Sequence, residues 1–160
     1  MVDRFERFSY AITEISRNWH KLASEEMDKY GLKGAHSVYL LSIVRHPQGL
    51  TAPQICELCG RDKSDVSRMM SIMESSGLVT KDIGSKTRYG GLFRLTEAGK
   101  QAAAEVSRRA SLAVEIAGRD LSEETRTVFY TALESITENL RSLGQKGLPS
   151  SDVEIYSEQE

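Results

Sequence analysis

Apolar residues recur along the first thirty positions in alternating steps of three and four: Phe5, Phe8, Ile12, Ile15, Trp19 and Leu22. That spacing lays one apolar seam along a long helix, which Gly31 and Gly34 close. Residues 35–46 are apolar almost all round, the pattern of a short buried helix, and Pro47 with Gly49 breaks it. Thr51-Ala52-Pro53-Gln54 reads as a capping box. The threonine is placed to accept the backbone N–H three residues on, the glutamine to reach back, and the proline sits where no N–H is missed. Gly60 ends that short helix. Asp62 caps the next one, with Val66, Met69, Met70 and Met73 on its inner face and Gly77 as its stop.

The pattern then switches. Leu78-Val79-Thr80-Lys81 and Leu92-Phe93-Arg94-Leu95 are short β-like runs, and the segment between them is rich in Gly, Ser and basic residues, which predicts a hairpin with a long tip. Thr96 with Glu97 restarts helix, and Ala98, Ala102, Val106, Ala110, Ala113 and Ala117 keep the period out to Gly118. Ser122, followed by Glu123 and Glu124, starts a last helix whose seam is Phe129, Leu133, Ile136, Leu140 and Leu143. From Gly144 the chain is polar, and residues 145–160 read as a flexible acidic tail. The expected class is mainly α, with one small hairpin.

Composition narrows the setting. At 160 residues, 39% hydrophobic and 28% charged, the chain has the make-up of a single folded domain. Its longest apolar stretch, Val38 to Val44, is far too short for a membrane helix, and the charged N-terminus is unlike a secretory signal. A cytoplasmic location with no membrane partner is expected. The net charge of −2 hides an uneven distribution. Residues 61–95 hold seven basic side chains against four acidic, whereas residues 120–160 hold three against nine. A basic segment in an acidic protein is a pattern to test against polyanion binding.

That basic segment coincides with the two short helices joined through Gly60-Arg61, a helix-turn-helix candidate. A recognition helix needs one inward face and one polar face for the major groove. Lys63, Ser64, Asp65, Ser67, Arg68 and Ser71 make up the polar face here, and Arg68 has the fork that suits a guanine edge. Lys86 and Arg88, on the Gly-flanked hairpin tip, suit phosphates or a minor groove. The competing reading of this face is an ordinary solvated helix surface.

The run LTAPQICELCGRDKSDVSRMMSIMESSGLVTK, followed by RLTEAGK, resembles the winged helix-turn-helix of the MarR family of bacterial transcriptional regulators. The similarity rests on the helix opening at Leu50-Thr51, the Gly60 turn and the helix from Asp62 to Arg68. It extends to the Glu74-x-x-Gly77-Leu78-Val79 exit and Leu95-Thr96-Glu97-x-Gly99 after the hairpin. It departs in the wing: where the family usually carries Asp-x-Arg, this chain has Thr87 and Tyr89 with Arg88 between them. The resemblance implies a MarR-like domain over residues 1–144. Residues 1–34 and 100–144 would be dimerisation helices, and residues 35–99 the DNA-binding lobe. It further implies a homodimer on a pseudo-palindromic operator, acting as a repressor relieved by a small, often aromatic, effector. Trp19, His36 and Tyr39 are the candidate effector residues.

Two rival readings remain at this point. Cys56 and Cys59 form a C-x-x-C, so the same fold could serve as a redox or zinc sensor. Small buried cysteines are more often core residues, and neither a second C-x-x-C nor a His pair with ligand spacing accompanies them. No cofactor or metal is therefore expected. The other rival is a helical interaction protein that has lost DNA binding. No enzyme motif stands in the sequence, so no catalytic residue is assigned.

Overall fold

The computed structural model describes residues 3–82 and 91–148. Six α-helices and a two-stranded hairpin follow in the order α1 (Arg4–Asp28), a 3-10 turn (Gly34–His36), α2 (Ser37–Val44), α3 (Ala52–Cys59), α4 (Lys63–Ser75), β1 (Val79–Asp82), β2 (Leu92–Leu95), α5 (Glu97–Ala117) and α6 (Glu123–Lys146). The chain forms two compact units, Met1–Val114 and Glu115–Glu160.

In the first unit the core follows the hydrophobic pattern in residues 35–46 and on the inner face of α4, and it adds Met27 from the end of α1. Met27, Tyr39, Leu40, Ile43, Ile55, Val66, Met70 and Met73 are all buried. Their side chains come from α1, α2, α3 and α4, so these helices close on one another rather than on solvent. The seam of α1 that precedes Met27 does not join that core. Phe5 is 71% exposed and Ile15 64%, and Trp19 is also exposed.

The hairpin is antiparallel, with Val79 opposite Leu95 and Asp82 opposite Leu92. Only Phe93 of β2 turns fully into the core, as the two-residue period requires. A third piece of backbone completes this small sheet. Leu50 N–H donates to Phe93 O at 3.0 Å and Phe93 N–H returns to Leu50 O at 2.8 Å. The residue that opens the helix-turn-helix is thereby tied to the hairpin.

At the start of α5 the backbone approaches β1 closely. Thr96 Oγ1 accepts from the N–H of Gly99 at 3.0 Å and donates to Gly77 O at 2.7 Å. Gly99 is buried, and a Cβ there would lie 2.0 Å from the carbonyl oxygen of Leu78. Only glycine fits. Further along, Arg109 of α5 pairs with Glu26 of α1 at 2.8 Å. Lys29, and after it Arg109, holds the Glu26 carboxyl below the usual glutamate range.

The second unit begins with the last turn of α5 and holds α6. Ser122 caps α6, accepting from Thr125 N–H at 3.2 Å. Arg126 donates to the Gly118 carbonyl at 2.8 Å and pairs with Glu115 at 3.2 Å. The expected seam is present as a stripe, but Phe129, Leu133, Ile136, Leu140 and Leu143 are all exposed. Helix α6 also continues to Lys146, two residues past Gly144, where the polar segment was expected to begin. A polar residue does not end a helix by itself, and the open surroundings of Gly144 tolerate the helix passing through.

Candidate nucleic-acid interface

The geometry of α3 and α4 follows from three local devices. Thr51 and Gln54 close the capping box as read from the sequence: Gln54 Oε1 accepts from both the N–H and the hydroxyl of Thr51, each at 2.9 Å. Gly60 adopts the left-handed conformation, φ 60° and ψ 40°, which turns the chain sharply after α3. Asp62 then accepts from Asp65 N–H at 2.8 Å, satisfying one of the orphan donors at the start of α4. The two helices are thus joined by a connection that is fixed rather than slack.

On α4, Val66, Met70 and Met73 are buried, and Met69 packs half-buried against them. The opposite face carries Lys63, Ser64, Ser67, Arg68 and Ser71, all exposed. Asp65 departs from the expectation that it faces outward. It is half-buried, and its carboxylate accepts from the Tyr39 hydroxyl at 2.7 Å and from Arg68 at 2.8 Å. The physical reason is the buried phenol beneath it, which needs an acceptor for its O–H. These bonds hold the Asp65 carboxyl below the ordinary aspartate range. Burial, and after it the bond to Asp65, pushes the Tyr39 phenol up. Lys86 and Arg88 lie outside the described residues.

One cationic side chain at this surface was not singled out from the sequence. Arg61, exposed in the connection between α3 and α4, stands beside the start of the polar face. Its signal was available, since a base between a left-handed glycine and an N-cap aspartate has little to pack on. Arg94 of β2 is committed elsewhere, donating to Gln48 O at 3.0 Å and to Asp82 at 2.7 Å.

A cavity of about 550 Å3 borders this surface, lined among others by Lys33, His36, Tyr39, Arg61, Arg68 and Ile72. It brings together two of the three expected effector residues. The third, Trp19, is on the exposed seam of α1 and is absent from the lining. His36 is buried, and its Nδ1 is engaged by the backbone of Lys33 at 3.0 Å. Its Nε2 is buried without a hydrogen-bond partner.

The C-x-x-C lies on α3, with both thiols half-buried against the core and unpaired as a disulfide. Cys59 Sγ meets Ser42 Oγ at 3.6 Å, and burial pushes its thiol up. Among the described residues no group of three or more His, Cys, Asp or Glu is placed to hold a metal ion. No helix among them is long and apolar enough to cross a membrane.

The sequence profile of the MarR family matches residues 30–86. Among curated proteins, none matches the chain. Solved structures share the fold over nearly its whole length. A MarR transcriptional regulator from Methanosarcina mazei Go1 superposes with a TM-score of 0.76 at 22% identity, covering 86% of this chain and 99% of that one. A MarR-family transcriptional regulator from Listeria monocytogenes, solved in complex with a 26mer DNA, gives 0.77 at 22% identity, covering 94% and 99%. The transcriptional regulator SlyA gives 0.75 at 20% identity, covering 83% and 93%.

Proposed function

We propose that this chain, whose winged-helix lobe is of the MarR family, is a sequence-specific double-stranded DNA-binding transcriptional regulator that acts as a homodimer. The observation that carries this reading is the divided surface of α4. One face is locked into the core, while the other presents Lys63, Ser64, Ser67, Arg68 and Ser71 to solvent. Short hydroxyl side chains let a helix lie close to base edges, and an arginine among them supplies a bidentate reader. The similarly folded Listeria protein is solved with DNA, which supports the same use of the fold here.

The dimer is argued from the exposed seams. Phe5, Ile12, Ile15 and Trp19 on α1, and Phe129, Leu133 and Leu140 on α6, leave apolar stripes in water on a single chain. Two-fold pairing removes them from water and presents two α4 helices to a pseudo-palindromic site. The cavity lined by His36, Tyr39 and Arg68 is the candidate effector site. A ligand there would relieve repression by altering how the two DNA-binding lobes are held. Such a regulator works where the DNA is, in the cytoplasm. The raised, half-buried Cys59 thiol supports a packing role for the C-x-x-C over a thiol switch, since a reactive cysteine needs thiolate at neutral pH.

The test is a salt-dependent binding titration with duplex taken from upstream of the protein's own gene, run beside Arg68→Ala. The variant should lose about 1–3 kcal/mol of specific affinity while its melting temperature stays put. A large drop in melting temperature with DNA affinity intact would overturn the assignment of α4.

A further inference from the structure

We infer that Asp65 and Tyr39 form a positioning pair that presets Arg68 on the DNA-facing side of α4. The inference rests on the reading of α4 as the recognition helix. It gives Tyr39 a second role beside lining the candidate effector cavity, and gives Asp65 a positioning role in place of DNA contact.

The geometry is a relay from core to surface. Tyr39 is 1% exposed on α2, and it donates its hydroxyl to Asp65 Oδ2 at 2.7 Å. The other oxygen, Oδ1, accepts from Arg68 Nη2 at 2.8 Å. The backbone of Asp65 is fixed as well, through the cap from Asp62. Each carboxylate oxygen therefore has a partner. The side chain cannot swing outward without leaving a buried phenol unsatisfied. An acidic group pointing out of a DNA-reading helix would repel phosphate, whereas this one is turned inward and neutralised by Arg68.

Stability explains the Tyr39–Asp65 bond but not the Arg68 arm of the arrangement. Arg68 is 69% exposed, and an exposed pair three residues apart on a helix contributes little. The benefit lies in binding. A free arginine must give up several rotamers when it docks on a base, and that ordering weakens the complex. Here one Nη2–H is held by Asp65 before DNA arrives. The remaining guanidinium donors stay open for the paired acceptors of a guanine edge.

The experiment uses duplex recovered from a random-sequence pool by the wild-type protein, compared with unselected duplex of the same length at fixed salt. Tyr39→Phe and Asp65→Asn are each measured alone and combined with Arg68→Ala, with thermal unfolding recorded for all. Each single variant should lower the ratio of selected to unselected affinity by about 2- to 10-fold, the effect of freeing one long side chain. The salt slope should not change, because no phosphate contact is removed. In the Arg68→Ala background the loss should vanish. An unchanged ratio, an equal loss without Arg68, or a gain in affinity (Asp65 then being a latch that DNA must break) would each overturn the inference. If the wild type selects no duplex at all, the DNA-binding reading fails and this inference with it. Selection by the wild type with an unaffected Tyr39→Phe overturns the inference alone.

Discussion

Replacing Gly99 with alanine should destabilise the first unit, against the rule that alanine is the better helix former. Alanine in a helix interior is favoured over glycine by about 0.5–1 kcal/mol. At Gly99 that gain meets an obstacle, because the new Cβ would stand 2.0 Å from Leu78 O, 3.0 Å from Leu78 C and 3.3 Å from Leu95 Cβ. The Leu78 carbonyl cannot step aside freely, since it accepts from Thr96 N–H at 3.0 Å. Helix α5 must therefore lift from the hairpin. Overpacking of this kind costs about 1–3 kcal/mol, and weakening the Thr96 bond adds roughly 0.5–1.5. The net expectation is a loss of about 0.5–4 kcal/mol after the helix-propensity gain is subtracted. Gly144→Ala is the matched control. Nothing lies within 4 Å of its added Cβ, so the same change there should stabilise by about 0.5–1 kcal/mol. Urea titrations at one protein concentration, followed by circular dichroism and fitted for both midpoint and slope, read both signs. Gly99→Ala unfolding at or above the wild-type midpoint would refute the reasoning.

Three further outcomes are expected. Glu26 has its carboxyl lowered by Lys29 and Arg109, so its contribution is present above the ordinary glutamate range and is lost as pH falls through the lowered value. Glu26→Gln should flatten the acid side of the stability profile, and an unaltered profile would show the pair to be idle. Ile15→Glu with Leu133→Glu should halve the mass measured by light scattering, and a wild type already at monomer mass would dispose of the dimer. Cys56→Ala with Cys59→Ala should keep DNA binding and its regulation. Loss of a response to oxidant or zinc that the wild type shows would instead make these thiols sensors.

Much of the fold was legible because it is set locally. The Thr51-Gln54 box, the Gly60 turn, the Asp62 cap and the four residues of β2 lie where the pattern put them, each fixed by residues within a turn of one another. The inner face of α4 was equally plain, since burial follows the helical period. What stayed hidden was long-range. Nothing near Asp65 in the sequence announces that Tyr39, on another helix, will draw its carboxylate inward. Gly99 stood out as part of a motif, but its reason, the approach to the Leu78 carbonyl, exists only once β1 and α5 have met. The resemblance offers Trp19 beside His36 and Tyr39 as an effector residue, and the folded chain places it outside the cavity that the other two line.

The backbone pair between Leu50 and Phe93 carries an implication for the order of assembly. Its partners are separated along the chain by α3, α4 and β1, so the loop they close is long, and the entropy of closing it is lost before the two bonds return anything. Helices α3 and α4 hold their own caps and turn within a few residues, so they can form before that loop closes. The hairpin should then fasten to Leu50 late in folding and release early in partial opening. Amide exchange would report this directly: Leu50 and Phe93 should lose protection together, ahead of Val66 and Met70. On that order, any condition that loosens the first unit would loosen the hairpin before it disturbs α4.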